Sequence, residues 1–206
     1  MPHKRTRQGA SSDSYGNDAP NKRRALIEAA VELMSRRGYR GTSLKQIAKE
    51  LGISEPALYH YFDSKEEMLF TIYIDTLNLS LEKVRGIGQS DGSPEEKLRR
   101  VIAEFTRVVT ENKMFVIFFR EKDELSPKNW KRITRGEREF VGAIRDIITD
   151  GIKDGTFKEL PPTVLTFGIL GMVAWVYRWF RPDGPLNRDQ LIDVFSEMII
   201  DGVRKA

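Results

Sequence analysis

The stretch from Thr42 to Leu69, TSLKQIAKELGISEPALYHYFDSKEEML, constrains the fold more than any other part of the chain. It holds two short helical segments separated by a break at Gly52. Thr42 or Ser43 can cap the first, which carries Leu44, Ile47, Ala48 and Leu51 inward. Ser54 can cap the second, with Pro56 in its first turn, where a missing N–H costs nothing. Asp63 or Ser64 can cap a third, longer helix carrying Met68, Leu69, Ile72, Ile74 and Leu77. Neither short segment can bury much alone, so both must cross a further element. Residues 21–38 supply it, with Leu26, Ala30, Leu33 and Met34 on one face and Gly38 as the stop. The expected arrangement is a helix-turn-helix, whose second helix fits the major groove of DNA and reaches base edges from near its N-terminus.

The helical period continues to the C-terminus. Helices are expected over 65–84, 94–111, 113–125, 127–154, 162–180 and 187–204, and no alternating run is long enough for a sheet. The fold class is therefore all-α: an N-terminal three-helix helix-turn-helix domain over 21–66, and a larger helical-bundle effector and dimerisation domain over 67–206. Residues 1–20 lack apolar periodicity and predict a disordered basic tail. Its His3, Lys4, Arg5 and Arg7 suit either a solvated terminus or an arm on DNA. Residues 85–94 (RGIGQSDGSP) predict a plain linker. Their glycines do not form a nucleotide loop, because no strand precedes them.

Charge and composition narrow the function. Residues 1–66 hold 12 Lys or Arg against 8 Asp or Glu, whereas the remainder holds 22 of each. The whole excess of +4 thus lies in the first third, as expected of an end that meets a polyanion. The chain has no cysteine, which excludes disulfides and thiolate metal sites, and its two histidines do not make a metal centre. No paired carboxylates, Ser-His arrangement or phosphate loop stands out, so no enzyme and no cofactor is expected. The longest apolar run, 163–177, is shorter than the roughly 20 residues of a spanning helix and ends at Arg178. No membrane association and a cytoplasmic location are expected.

Over residues 24–69 the sequence resembles the TetR family of repressors. The matching residues are Ala29-Ala30, Gly38-Tyr39, Thr42-Ser43, Ile47-Ala48, Gly52-Ile53-Ser54, Leu58-Tyr59, Tyr61-Phe62 and Ser64-Lys65-Glu66. The resemblance implies a homodimer on double-stranded, palindromic operator DNA. It implies phosphate contacts from Thr42, Ser43, Tyr59, His60 and Lys65, joined by Lys45 and Arg40, and base contacts from Ser54, Glu55, Pro56 and Ala57. Glu55 has two readings: it accepts from a cytosine amino group, or it pairs with Lys45 or Lys49.

The last two helices are apolar on more than one side. The resemblance implies that they form a four-helix bundle with a second copy, for which Leu170, Val173, Leu191, Phe195, Met198 and Ile199 are the candidate interface. Phe105, Val108, Val109, Phe115, Phe118, Phe119, Phe140, Ile144 and Phe167 could line a cavity for a small hydrophobic effector, although aromatic stripes at helical spacing also serve as ordinary core. The segments 114–127 (MFVIFFREKDELSP) and 175–186 (WVYRWFRPDGPL) resemble TetR regulators of fatty-acid and steroid catabolism, which implies an acyl-CoA effector. Trp175 and Trp179 with Arg178 and Arg181 would then meet the adenine and phosphates; the other reading of Arg178 is an ion pair with an acid such as Asp146, Glu137 or Asp193. The alternatives are a sensor of cationic or aromatic drugs, which needs a buried acid that the sequence does not reveal, and an acyl-CoA carrier without DNA activity.

Overall fold

The computed structural model describes residues 19–205, apart from 112, 114, 116 and 118–120. The expected tail, with its four basic residues, lies outside the described residues, as do Phe118 and Phe119. The helices are α1 (Ala19–Arg37), α2 (Leu44–Glu50), α3 (Glu55–Tyr59), α4 (Lys65–Gln89), α5 (Pro94–Glu111), α6 (Pro127–Lys153), α7 (Pro162–Ala174) and α8 (Arg188–Val203). Between α5 and α6, Lys113, Phe115, Ile117 and Glu121 are helical, and a 3₁₀ turn covers Lys122–Glu124. No strand occurs among the described residues; Phe157 and Arg204 form an isolated bridge.

Local chemistry explains the boundaries. Ser43, Ser54, Ser64, Ser126 and Asn187 each accept a backbone N–H three residues on and so open α2, α3, α4, α6 and α8. At Ser43 and Asn187 a glutamine three residues later returns the bond to the cap backbone, completing a capping box. Gly52 has φ +65°, the left-handed conformation that lets α2 turn sharply into α3.

Two expected boundaries differ. The linker at 85–94 shrinks to residues 90–93, because α4 runs on to Gln89. Ile87 is buried and extends the stripe of Leu77, Leu81 and Val84, so burial outweighs the glycines' poor helix propensity. The helix expected over 162–180 ends at Ala174 and tightens into a 3₁₀ turn over Trp175–Arg178. Val176 stays buried there while Trp175 and Trp179 turn outward, and Pro182 disfavours further helix at Arg181.

The described residues form two cores. One joins Leu26, Ala30, Met34, Ile47, Leu58 and Phe62 beneath the helix-turn-helix; the other joins α4 through α8. Helix α4 belongs to both. Met68, Leu69 and Ile72 pack in the first core, and Phe70, Tyr73 and Leu77 in the second. Glu66, where the DNA-binding domain was expected to end, lies in the first turn of α4, the helix that the two cores share.

Candidate DNA-binding face and ligand cavity

Most of the residues expected at DNA are accessible on α2, α3 and their caps. Ser43, Lys45, Ser54, Pro56, Tyr59 and His60 are exposed, and Glu55 and Ala57 are half-buried. Glu55 pairs with Lys45 at 3.4 Å, the structural of its two readings. An exposed pair of this kind is worth about 0–1 kcal/mol, so a phosphate can readily replace the carboxylate at Lys45. Lys65 donates to the Tyr39 carbonyl at 2.9 Å and stands 4.0 Å over the Tyr39 ring, which leaves two of its N–H bonds for a phosphate. Burial pushes the Tyr39 phenol up to about 12, with Glu124, Glu66 and Glu121 adding to the shift.

Thr42 and Arg40 depart from expectation. Thr42 is only 1% exposed, and its hydroxyl donates to the Gly38 carbonyl at 2.9 Å, so it closes the turn before α2 and presents no hydroxyl to a phosphate. Arg40 is held by Glu124 at 2.7 Å and thereby ties the DNA-binding unit to the turn before α6. Two further ties span the cores: Lys113 to Glu32 at 2.6 Å, and Glu66, whose Oε1 accepts from Ser126 N–H and Asn129 Nδ2, both at 2.8 Å. These bonds hold the Glu66 carboxyl below its ordinary value.

A cavity of about 790 Å³ opens among α4, α5, α6, α7 and Phe115. Of the residues expected there, Phe105, Val108, Phe115, Phe140 and Phe167 line it. The Phe105 ring meets Phe115 edge-on at 5.9 Å and Phe140 at 5.8 Å, forming an aromatic wall. Val109 and Ile144 do not line it. They are core residues facing away, as helical aliphatics usually are. Nor do Trp175, Arg178 and Arg181 reach it: Trp175 and Arg181 are exposed on the turn after α7, and the Arg178 guanidinium lies 5.4 Å over the Trp175 ring. That turn points them away because the helix expected to carry them inward has ended.

Sequence reasoning missed the polar lining. Tyr73 on α4 donates to Glu137 Oε1 at 2.6 Å inside the cavity, and burial, then the adjacent carboxylate, pushes its phenol far above its ordinary value. Glu137 is the acid among aromatics that the sequence did not reveal. It sits on the amphipathic helix α6, where charged residues ordinarily face solvent. Arg138 and Arg145, two turns apart on the same helix, stand exposed at the rim with Thr163, Phe167 and Gly171. Neither arginine makes a salt bridge among the described residues. The i, i+7 spacing of two arginines on the helix bearing Phe140 is the signal that could have marked this rim.

The candidate dimer face is also rotated. Val173, Leu191, Phe195 and Ile199 are buried in their own subunit, Val173 completely, and Leu170 lines the cavity. Met198 alone of the six is strongly exposed, at 57%. The exposed apolar residues of α7, the turn after it and α8 are instead Val164, Phe167, Met172, Trp175, Val194 and Met198. Because α7 is apolar all round, the sequence could not say which side faced the core.

Comparison with known proteins accounts for this combination. Residues 26–72 match the family described as bacterial regulatory proteins, tetR family, and residues 91–203 match the tetracyclin repressor-like C-terminal domain. The chain belongs to the TetR family. It is 28% identical over 196 residues to the HTH-type transcriptional repressor KstR2 of Mycobacterium tuberculosis, covering 94% of this chain and 98% of that one. The structure of that ketosteroid transcriptional regulator superposes with a TM-score of 0.80, covering 90% of this chain and 96% of its own. AibR, solved in complex with isovaleryl coenzyme A and operator DNA, is 32% identical with a TM-score of 0.77, covering 86% and 97%. This TetR-family chain is accordingly a transcriptional regulator with a helix-turn-helix, and among its described residues no helix is long and apolar enough to cross a membrane.

Proposed function

We propose that this TetR-family protein is a homodimeric repressor released from palindromic operator DNA by an acyl-CoA thioester. One observation carries the reading: the cavity joins an aromatic interior to a rim bearing two arginines that form no salt bridge among the described residues. An acyl chain fits the interior, whose volume lies in the usual range for ligand sites. The coenzyme A phosphates meet Arg138 and Arg145, where charge-assisted hydrogen bonds form as the anion enters. AibR, similar over most of its length, binds isovaleryl coenzyme A together with DNA, which supports the class of ligand.

At the operator, Ser43, Lys45, Tyr59, His60 and Lys65 touch phosphates, while Ser54, Pro56 and Ala57 face base edges. Two copies associate through the outward side of α7 and α8, which otherwise leaves Val164, Trp175 and Met198 in water. Ligand at Tyr73 repacks α4, and α4 carries the change into the core beneath α2 and α3. Release requires that the ligand bind the DNA-incompetent arrangement more tightly.

A sensor of cationic drugs is the second reading, favoured by Glu137 among aromatics. The two rim arginines oppose it, since a cation would have to pass them. The test is a titration of the gene's upstream DNA with and without acyl-CoA thioesters, the matching free acids and ethidium. Release by a thioester at concentrations where its acid is inert supports the proposal. An Arg138→Ser/Arg145→Ser variant should then need about thirtyfold more thioester, from roughly 1 kcal/mol for each of the two exposed charged contacts. Release by ethidium alone favours the drug reading, and no binding to any upstream DNA favours a carrier.

A further inference from the structure

The interior of the cavity has a directional polarity. Ser80 Oγ donates to the Thr76 carbonyl at 2.9 Å, and Thr134 Oγ1 donates to the Trp130 carbonyl at 3.0 Å. Each hydroxyl thereby spends its only proton on its own helix and offers the cavity only lone pairs. The Tyr73 proton is spent on Glu137 Oε1. Glu137 Oε2 takes no donor among the described residues, and a carboxylate accepts through both oxygens. The inward polar groups of Ser80, Thr134 and Glu137 are therefore acceptors, whereas the cavity's cationic donors, Arg138 and Arg145, are confined to the rim.

A plain alkyl chain would desolvate the Glu137 carboxylate and return nothing to it, a cost that grows with burial. A ligand hydroxyl would supply the missing donor. A cation would supply one too, but against the rim charge. Building on the acyl-CoA reading, we infer that the Tyr73–Glu137 pair selects an acyl group bearing a hydroxyl, and discriminates against the unsubstituted chain of the same length. The preference is for a donor specifically, so a methyl ether at the same position forfeits it. Glu137 is thus a specificity-determining residue, set by a phenol that fixes one of its oxygens and leaves the other to the ligand.

The test measures binding of octanoyl-CoA, 3-hydroxyoctanoyl-CoA, 8-hydroxyoctanoyl-CoA and 8-methoxyoctanoyl-CoA to the full chain by calorimetry. Octanoic acid, 8-hydroxyoctanoic acid and ethidium complete the panel. One hydroxylated thioester should bind about tenfold more tightly than octanoyl-CoA, the scale of one hydrogen bond to a charged acceptor, and the methoxy compound should not. A Tyr73→Phe/Glu137→Leu variant, which replaces both partners by apolar groups, should erase the preference and bind octanoyl-CoA more tightly than the native chain does. Equal binding of all four thioesters overturns the inference and leaves the coenzyme A reading standing. Preference for 8-hydroxyoctanoic acid over octanoic acid, with no thioester bound, supports the hydroxyl and overturns coenzyme A. Ethidium binding more tightly than any thioester overturns both. The native-chain comparisons decide the matter even if the double variant fails to fold.

Discussion

Replacing Glu66 by alanine should loosen the joint between the DNA-binding unit and the ligand-binding bundle. Its Oε1 receives Ser126 N–H and Asn129 Nδ2 at 2.8 Å each, so the first turn of α4 is bolted to the first turn of α6. A hydrogen bond to a charged group contributes about 1.5–3 kcal/mol when well buried. This site is half-exposed and water can serve both donors after truncation, which lowers the figure to about 1 kcal/mol per bond and about 2 kcal/mol in all. For a chain of this size 1 kcal/mol moves the melting temperature by about 2–4 °C, so Glu66→Ala should melt about 4–8 °C lower at pH 7. Glu66→Gln keeps an acceptor but loses the charge and should fall about half as far.

Acid supplies a second check. The folded carboxyl lies below its ordinary value of 4.5, because Ser126 and Asn129 favour its charged form. Its contribution is therefore fully present above 4.5 and is lost as the pH falls through the lower folded value. Melting curves by circular dichroism, at one fixed protein concentration, should show the gap between native chain and Glu66→Ala closing as the solution is acidified below 4.5. A variant that melts within about 1 °C of the native chain at pH 7, or a gap that persists unchanged in acid, refutes the reasoning.

Other consequences are equally concrete. Gly151→Ala would place a methyl 2.2 Å from Phe157 Cδ2 and 2.9 Å from Pro94 Cβ, and should cost about 3 kcal/mol by denaturant melting. Gly86→Ala meets nothing within 4 Å in the last turn of α4, and should stabilise the chain by about 0.5 kcal/mol. Met198→Glu should convert a dimer to monomers by light scattering while helicity is kept; unchanged mass would move the interface elsewhere. Lys45→Ala should lower the salt slope of operator binding by about two per dimer, one for each lost phosphate contact.

The sequence revealed what local periodicity and capping control. Ser43, Ser54, Gly52 and the apolar spacing of α1 and α2 were legible because each acts within a few residues of itself. The lining of the cavity was only half legible. Aromatic residues at helical spacing announced Phe105, Phe115 and Phe140, yet the same spacing chose Val109 and Ile144, which face the opposite way. Sides of an all-apolar helix carry no marks, so α7 was read with the wrong surface outward; on α8, Leu191, Phe195 and Ile199 turned out to be the core stripe and Val194 and Met198 the outward apolar residues. The polar half of the site stayed hidden for a different reason. Tyr73 and Glu137 are 64 residues apart, and each is unremarkable on its own helix.

In the proposed mechanism, the sharing of α4 is what would turn the cavity into a control element. Tyr73 meets the ligand space, while Ile72, its neighbour in sequence, is buried beneath the recognition helix. Helical geometry fixes those two side chains about 100° apart on one rigid rod, so displacement at Tyr73 must move Ile72 as well. Close-packed interiors do not yield by degrees; they exchange one packing for another. On that proposal, a ligand that rearranges the Tyr73–Glu137 wall would favour a different seating of α4 against the core that holds Ile72. The Glu66, Arg40 and Glu32 ties determine how strongly the present seating is favoured. It follows that cutting these ties should alter the amount of effector needed for release even though none of them touches the cavity. Glu66→Gln, the mildest cut, should shift the effector midpoint for release and the effector's apparent Kd for the DNA-free protein in the same direction, because both depend on the one seating equilibrium.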